Sequence, residues 1–378
     1  MKTPTHSSQR GAATVAITLM LAIAVLLSVA FANRSVLFES KTSANQYRAA
    51  QAHEAAEAGL DWAIAQLNNH TPIGDDCLAS SEAAATPFRE RSIGAMQASC
   101  LANDGGWSCR CAAPGEVEPD TDSLAFAIRI ATAEQPGVLR LTSTGSSRNA
   151  RAQVQALVGR LPGLDTLPAA ALTVRGAATA PFAVHHTDPA TGGLTVHTGG
   201  ALDTSYMHLA STPGTPAAAS VLANDPALAQ LTPQGLFASV FRMDKPTWRA
   251  QPVVHEMACD SACDAALATA ATTHPLIWLR DGLRLDTPVT LGTPQHPVLL
   301  VVDGPVELHA GAVIHGVIYG TQARWVDTAG AAIHGAVILE GDLQASGNTH
   351  IHHHAAVLQT LHERTGTYAR LPDSWRDF

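Results

Sequence analysis

Residues 11–33, GAATVAITLMLAIAVLLSVAFAN, form an unbroken run without a charged side chain. A helix rising 1.5 Å per residue needs about 20 apolar residues to cross a bilayer, and residues 12–32 supply them. Ahead of residues 12–32 stand eleven residues with Lys2 and Arg10, and no short basic cluster follows them. The positive-inside bias therefore puts the N-terminus in the cytoplasm, and the bulk of the chain outside it.

Ala30-Phe31-Ala32 matches a small-x-small cleavage pattern, which is the secretory signal-peptide reading. The run exceeds a signal peptide's apolar core of roughly 7 to 15 residues, however, and the helical pattern continues beyond it. Ala49, Ala52, Ala56, Leu60, Ile64 and Leu67 fall near the i, i+3, i+4 spacing of one buried stripe, while Arg34, Glu39, Lys41 and Arg48 sit along the rest. Asn68, Asn69 and Pro72 end the helix, because proline cannot continue it and pushes the preceding residue out of the α region. One helix over residues 12–70 makes a rod of roughly 90 Å.

Ser8-Gln9-Arg10-Gly11, followed by Ala12-Ala13-Thr14-Val15-Ala16 and the uncharged run, resembles the class III leader of type IV pilins. The resemblance implies a cut by prepilin peptidase between Gly11 and Ala12 on the cytoplasmic side, with N-methylation of Ala12. Further on, Gln51-Ala52-His53-Glu54-Ala55-Ala56-Glu57-Ala58-Gly59-Leu60 resembles the signature of the PilX N-terminal family of minor pilins and pilus assembly proteins, carried here by Ala55, Ala56, Glu57, Ala58, Gly59 and Leu60. Together the two motifs cover about the first 70 residues. One departure stands out. Most pilins have Glu as the fifth mature residue, where its carboxylate pairs in apolar surroundings with the N-terminal amine of a neighbour; here that position is Ala16. A subunit without the acid cannot be drawn to an amine already assembled, so it reads as the first one placed, at a filament tip or in priming.

Lys and Arg total 23 against 32 Asp and Glu, a net charge of −9, so nucleic acid is not expected as a main partner. The six cysteines fall in two local groups, and outside the cytoplasm such groups read as disulfides. Cys259 and Cys263 would close a small loop. Cys77, Cys100, Cys109 and Cys111 would make two bridges in one of three connectivities. Neither close pair has the C-x-x-C spacing of a zinc site.

After this stapled segment, Ala125-Phe126-Ala127-Ile128-Arg129-Ile130 and Val138-Leu139-Arg140-Leu141-Thr142-Ser143 alternate at period two, and residues 152–158 are strand-like. They predict a small antiparallel sheet. The string LTSTGSSRNARAQV at 141–154 is similar to the I-x-S-x-G…R-x-x-V strand pair that closes many pilin-like heads, which implies that the helix packs on this sheet.

From about residue 161 the pattern changes to repetition. Val313-Ile314-His315-Gly316-Val317-Ile318, Ala332-Ile333-His334-Gly335-Ala336-Val337 and His350-Ile351-His352-His353-His354-Ala355 resemble one another, and His296, His315, His334 and His353 align at a 19-residue period. A period near 20 with short β runs and Gly-rich turns predicts a β-solenoid, each coil burying its apolar face on its neighbours. Residues 277–282 look like an earlier coil, and residues 161–202 like the first ones. Residues 213–257 interrupt the pattern: Thr232 and Pro233 open a short helix, read as an insertion capping or lying on the solenoid.

Eighteen histidines raise the question of a metal. Side chains two apart on a strand share a face, so His352 and His354 could be joined by His334 or His315 from neighbouring coils. Stacked identical residues also arise in solenoids from packing alone, and no resident metal or other cofactor is expected. No G-x-S-x-G, H-E-x-x-H or P-loop is present. Asp281, Asp303, Glu307, Asp327, Glu340 and Asp342 are the carboxylates a glycosidase would need in pairs, but several precede glycine and suit turns.

The expectation is an α+β protein in four parts: a leader over 1–11, a transmembrane and amphipathic helix over 12–70, a disulfide-stapled pilin-like head over 71–160, and a β-solenoid over 161–378. Its implied role is a non-enzymatic minor pilin or pilus assembly protein. It would reside first in the inner membrane with its bulk periplasmic, then in a pilus or pseudopilus at the cell surface. Its partners would be other minor and major pilins, with a surface or glycan for the solenoid. The competing reading is a membrane-tethered or secreted carbohydrate-binding or carbohydrate-active β-helix unrelated to pili.

Overall fold

The computed structural model describes residues 10–82, 85–91, 97–112, 123–322 and 324–378. Residues 1–9 of the expected leader lie outside the described residues, and Gly11 and Ala12 are described only as helical backbone.

Helix α1 (Arg10–Leu67) runs unbroken for 58 residues, roughly 87 Å at 1.5 Å per residue. Its first part, residues 13–47, is exposed on every side. From Ala52 the helix acquires one buried stripe of Ala52, Ala55, Ala56, Leu60, Ala63 and Leu67. The stripe starts later than its sequence spacing suggests, because Ala49 is exposed. The helix stops at Leu67, as Asn68, Asn69 and Pro72 require.

That stripe lies on an antiparallel sheet formed by β1 (Gln97–Asn103), β2 (Gly106–Ala112), β3 (Ala125–Thr132), β4 (Val138–Ser147) and β5 (Ala150–Pro162). Alternation along the strands turns Phe126, Ile128, Leu141, Val154, Ala156 and Val158 into the core beneath α1. Disulfides join Cys100 of β1 to its cross-strand partner Cys109 of β2, and Cys111 of β2 to Cys77 in the loop after α1.

The chain then makes repeated passes that pair in parallel. The larger of two parallel sheets holds β6 (Ala170–Val174), β7 (Ala183–His185), β8 (Leu194–Thr198), β9 (His208–Ala210), β10 (Val254–Ala258), β11 (Leu276–Arg280), β12 (Val298–Asp303), β13 (Ala312–Gly320), β14 (Ala332–Leu339) and β15 (His350–His353), with further short strands. The main path through it runs β9, β7, β15, β14, β13, β12, β11, β10. The smaller sheet stacks Leu202–Asp203, Ala178–Thr179, Leu343–Ser346, Arg324–Asp327, Val306–Leu308 and Leu283–Leu285 in the corresponding order. Side chains such as Leu300, Val302, Ile318, Trp325, Val337 and Ile351 fill the core between passes.

Two expectations need correcting. Residues 161–202 were expected to form the first coils, ahead of the one at Ile277; instead β6 pairs with β14 and β7 with β15, so the earliest passes stack on the last one. The 19-residue period also holds only in the middle. His315 lies opposite His334, but Val298 lies opposite Gly316, and His334 opposite His352, so His296 and His353 fall out of line. The glycine after each aligned histidine is forced by geometry. Gly316 and Gly335 both have φ of 154°, and a Cβ there would overlap the backbone oxygen of Val298 and of Gly316 respectively.

The segment between β9 and β10 includes α2 (Pro233–Phe241), whose N-terminus is capped by Thr232 accepting from the Gly235 amide, with Pro233 in the first turn. It lies on the outer face of the larger sheet, not over an end. Phe237, Phe241 and Trp248 pack there on Leu299, Val301, Tyr319 and Ile338, which explains why β12 is apolar on both faces. Glu340, almost fully buried, holds this segment down by pairing with Lys245 at 2.7 Å and accepting from the Tyr319 hydroxyl at 2.6 Å.

After β15, helix α3 (Ala355–Arg364) leads to β16 (Gly366–Arg370), which leaves the parallel region and pairs antiparallel with β5, Thr367 opposite Leu161. The expected solenoid of 161–378 therefore loses its last strands to the first sheet.

Candidate functional site

Two features of the fold are unexplained by its own packing: the bare length of α1 and a row of histidines on the larger parallel sheet. Along α1, Ile17, Met20, Leu26, Leu27, Phe31, Leu37 and Phe38 are each more than half exposed. Three hydroxyls in this stretch donate within the helix, Thr18 to the Thr14 carbonyl, Ser28 to Ala24 and Thr42 to Phe38. These three are thus satisfied locally, which a lipid or a dry helix interface favours. This helix is long and apolar enough to cross a bilayer. Ala16 is exposed on it.

Lower down, the residues quoted as two separate motifs meet. Ala52, Ala55, Ala56, Gly59 and Leu60 face the sheet, while Glu57 points partly to solvent with His53 at 4.0 Å. Gly145 of β4 comes against the α1 backbone so closely that a Cβ on it would overlap the Ala52 carbonyl oxygen and the Ala56 nitrogen. Gly59 reciprocates: a Cβ there would overlap the Ser143 hydroxyl and crowd Phe126 and Ile128. Small residues on both partners let helix and strand backbones touch, so the motif acts as a docking surface inside one chain.

On the parallel sheet, four imidazoles stack ring on ring across adjacent passes. Centroid separations are 4.8 Å for His315 and His334, 5.2 Å for His334 and His352, and 4.4 Å for His352 and His185, with planes within 17°. Beside this row His353 stacks on His186 at 3.7 Å. Burial first, then neighbouring histidines, lowers the pKa of each of the four, that of His352 to about 4.

The trio weighed and set aside as a metal cluster, His334, His352 and His354, is not the one the fold assembles. His354 sits at the N-terminus of α3, where its side chain accepts from the Val357 amide. The nitrogens that converge belong to His185, His350 and His352. The pass that carries His185 stacks out of chain order, so the 19-residue repeat does not include it. A signal did exist in the shared apolar-His-His tripeptides Val184-His185-His186 and Ile351-His352-His353.

The carboxylates weighed for catalysis are engaged elsewhere. Asp327 accepts from the amides of Ala329, Gly330 and Ala331 and from Thr349. Asp303 accepts from Thr321, Asp342 from the Ala177 amide, and Glu307 faces Arg284, His309 and Arg324. Asp281 occupies a turn with φ of 68°. The last cysteine pair, Cys259 and Cys263, is bonded across the loop before a short helix.

A long apolar N-terminal helix seated on an antiparallel sheet, with disulfides in the attached head, fits a pilin. Among solved structures, the crystal structure of the competence-associated pilin ComZ from Thermus thermophilus is similar to this chain at 12% identity and a TM-score of 0.24, covering 88% of this chain and 97% of that one. No family model and no curated protein matches the chain.

Proposed function

We propose that this chain is a minor pilin or pilin-like subunit of the PilX type, non-enzymatic, which joins a type IV pilus or a secretion pseudopilus through α1. In this reading the N-terminus is cytoplasmic, the bulk is periplasmic, and the leader is removed after Gly11 before the subunit leaves the inner membrane. The observation that carries the reading is the bare stretch of α1. Thirty-five consecutive residues, 13–47, are exposed rather than packed against the chain's own sheets. Burial of such a surface is worth about 25 cal/mol per Å² of apolar area, so lipid, then the helices of neighbouring subunits, is its natural environment.

The parallel region is read as a β-solenoid presented at the filament tip for contact with a surface, a glycan or a partner protein. Supporting a tip position are its bulk, which would crowd a repeating shaft, and Ala16 in place of the usual acid. All six cysteines are paired, so Leu26→Cys introduces a lone thiol on the bare helix. Photo-cross-linking of that variant through a maleimide–benzophenone reagent on the introduced thiol, in native membranes and sheared filaments, should yield adducts with other single-span subunits, identified by mass spectrometry. Recovery of the variant only as an uncross-linked monomer, absent from filaments, would favour the tethered carbohydrate-directed reading.

A further inference from the structure

The adjacent strands β7 and β15 run in parallel with Val184 opposite Ile351 and His185 opposite His352. Alternation puts His350, two residues before His352, on the same face of β15. One ligand nitrogen from each of His185, His350 and His352 lies within 4.8 Å of the other two. All three residues are half-buried, so a cation can reach them from solvent. Among the described residues neither the His185 nor the His352 ring makes a hydrogen bond, and the His350 ring has only Asn348, at 3.3 Å.

We propose that His185, His350 and His352 form a binding site for one transition-metal dication of the Zn²⁺ type, with a solvent molecule in the fourth position. Zn–N bonds of 2.0–2.1 Å in a tetrahedron need nitrogens about 3.3 Å apart. Binding therefore requires the His185 and His352 rings to turn out of their face-to-face stack, through torsions that strand pairing does not fix, as their nitrogens draw together. An all-imidazole set without thiolate or carboxylate suits Zn²⁺, Cu²⁺ or Ni²⁺ and is poor for Mg²⁺ or Ca²⁺. A bound cation would tie β7, the second parallel pass in chain order, to β15, the last, across a contact that chain connectivity does not enforce. The site does not depend on any role in a filament.

The test is calorimetric titration of ZnCl₂ into the full-length, untagged, chelator-stripped protein in detergent. One Zn²⁺ per chain should bind. His185→Gln and His352→Gln should each weaken binding at least about tenfold. His255→Gln, which alters a separate histidine stack with His274, should leave it unchanged. Electron paramagnetic resonance of the unmutated protein with one equivalent of Cu²⁺ guards against variants that misfold, and should show coupling to several imidazole nitrogens. Absence of stoichiometric Zn²⁺ binding, undiminished binding by both His185→Gln and His352→Gln, or a Cu²⁺ signal without imidazole coupling would each overturn the proposal.

Discussion

His70 follows the end of α1 and is only 8% exposed. The guanidinium of Arg89 approaches its Nε2 to 3.0 Å, so that nitrogen must accept, and the ring must be neutral. Arg89 also donates to the Gly366 carbonyl at 3.2 Å and lies over the Tyr368 ring, joining the helix end to the returning strand β16. Burial, then Arg89, then His274, hold the His70 pKa down to about 3 from an ordinary 6.5. Below pH 6.5 the unfolded chain binds a proton that the native state refuses. Stability from this group is therefore complete above that pH and is lost as pH falls toward 3. Relative to His70→Gln, the wild type should lose about 2–3 kcal/mol more between pH 7 and 4.5. Urea unfolding in detergent at the two pH values checks this, and equal losses in both proteins would refute it. Nothing in the sequence around His70 announces this burial. The partners come from residues 89 and 366–368, and only tertiary folding brings them together.

At the scale of elements, the helix–sheet junction was the most legible part of the fold. The Ala-Ala-Glu-Ala-Gly-Leu run and the Gly145 strand were each visible as motifs, and the structure shows them to be two halves of one contact. Gly145 faces backbone, which cannot move aside, whereas Gly59 faces side chains that can. Gly145→Ala should accordingly cost about 3 kcal/mol and Gly59→Ala about 1 kcal/mol, within the range for overpacking a dense core. Denaturant midpoints would measure both, and a neutral Gly145→Ala would show that the helix does not press on the sheet as described. Helix α2 was also legible, since Thr232 and Pro233 are local signals and the cap forms as written. Pass order and register were not. A strand's hydrophobic pattern says that it needs neighbours, without saying which, and one residue fewer in a turn converts a 19-residue period to 18. The histidine cluster inherited that ambiguity: His352 was recognised, His185 was missed, and His354 was assigned to a row that it leaves to cap α3.

Across the whole molecule, the chain enters the parallel region through β5 and leaves it through β16, and those two strands pair with each other. Asn68 reinforces the junction, donating to the Tyr368 carbonyl at 2.9 Å and accepting from its amide at 2.8 Å. The antiparallel head and the parallel region are thus joined by a hydrogen-bonded strand pair instead of one flexible linker. A force on the parallel region would pass directly to the foot of α1. The proposed role requires α1 to be a filament rod, and prepilin processing is what separates a rod from a plain anchor. The decisive measurement is the N-terminus of the mature protein from native membranes, read by mass spectrometry. An N-methylated Ala12 is the predicted result; a chain starting at Met1 or at Asn33 would contradict it.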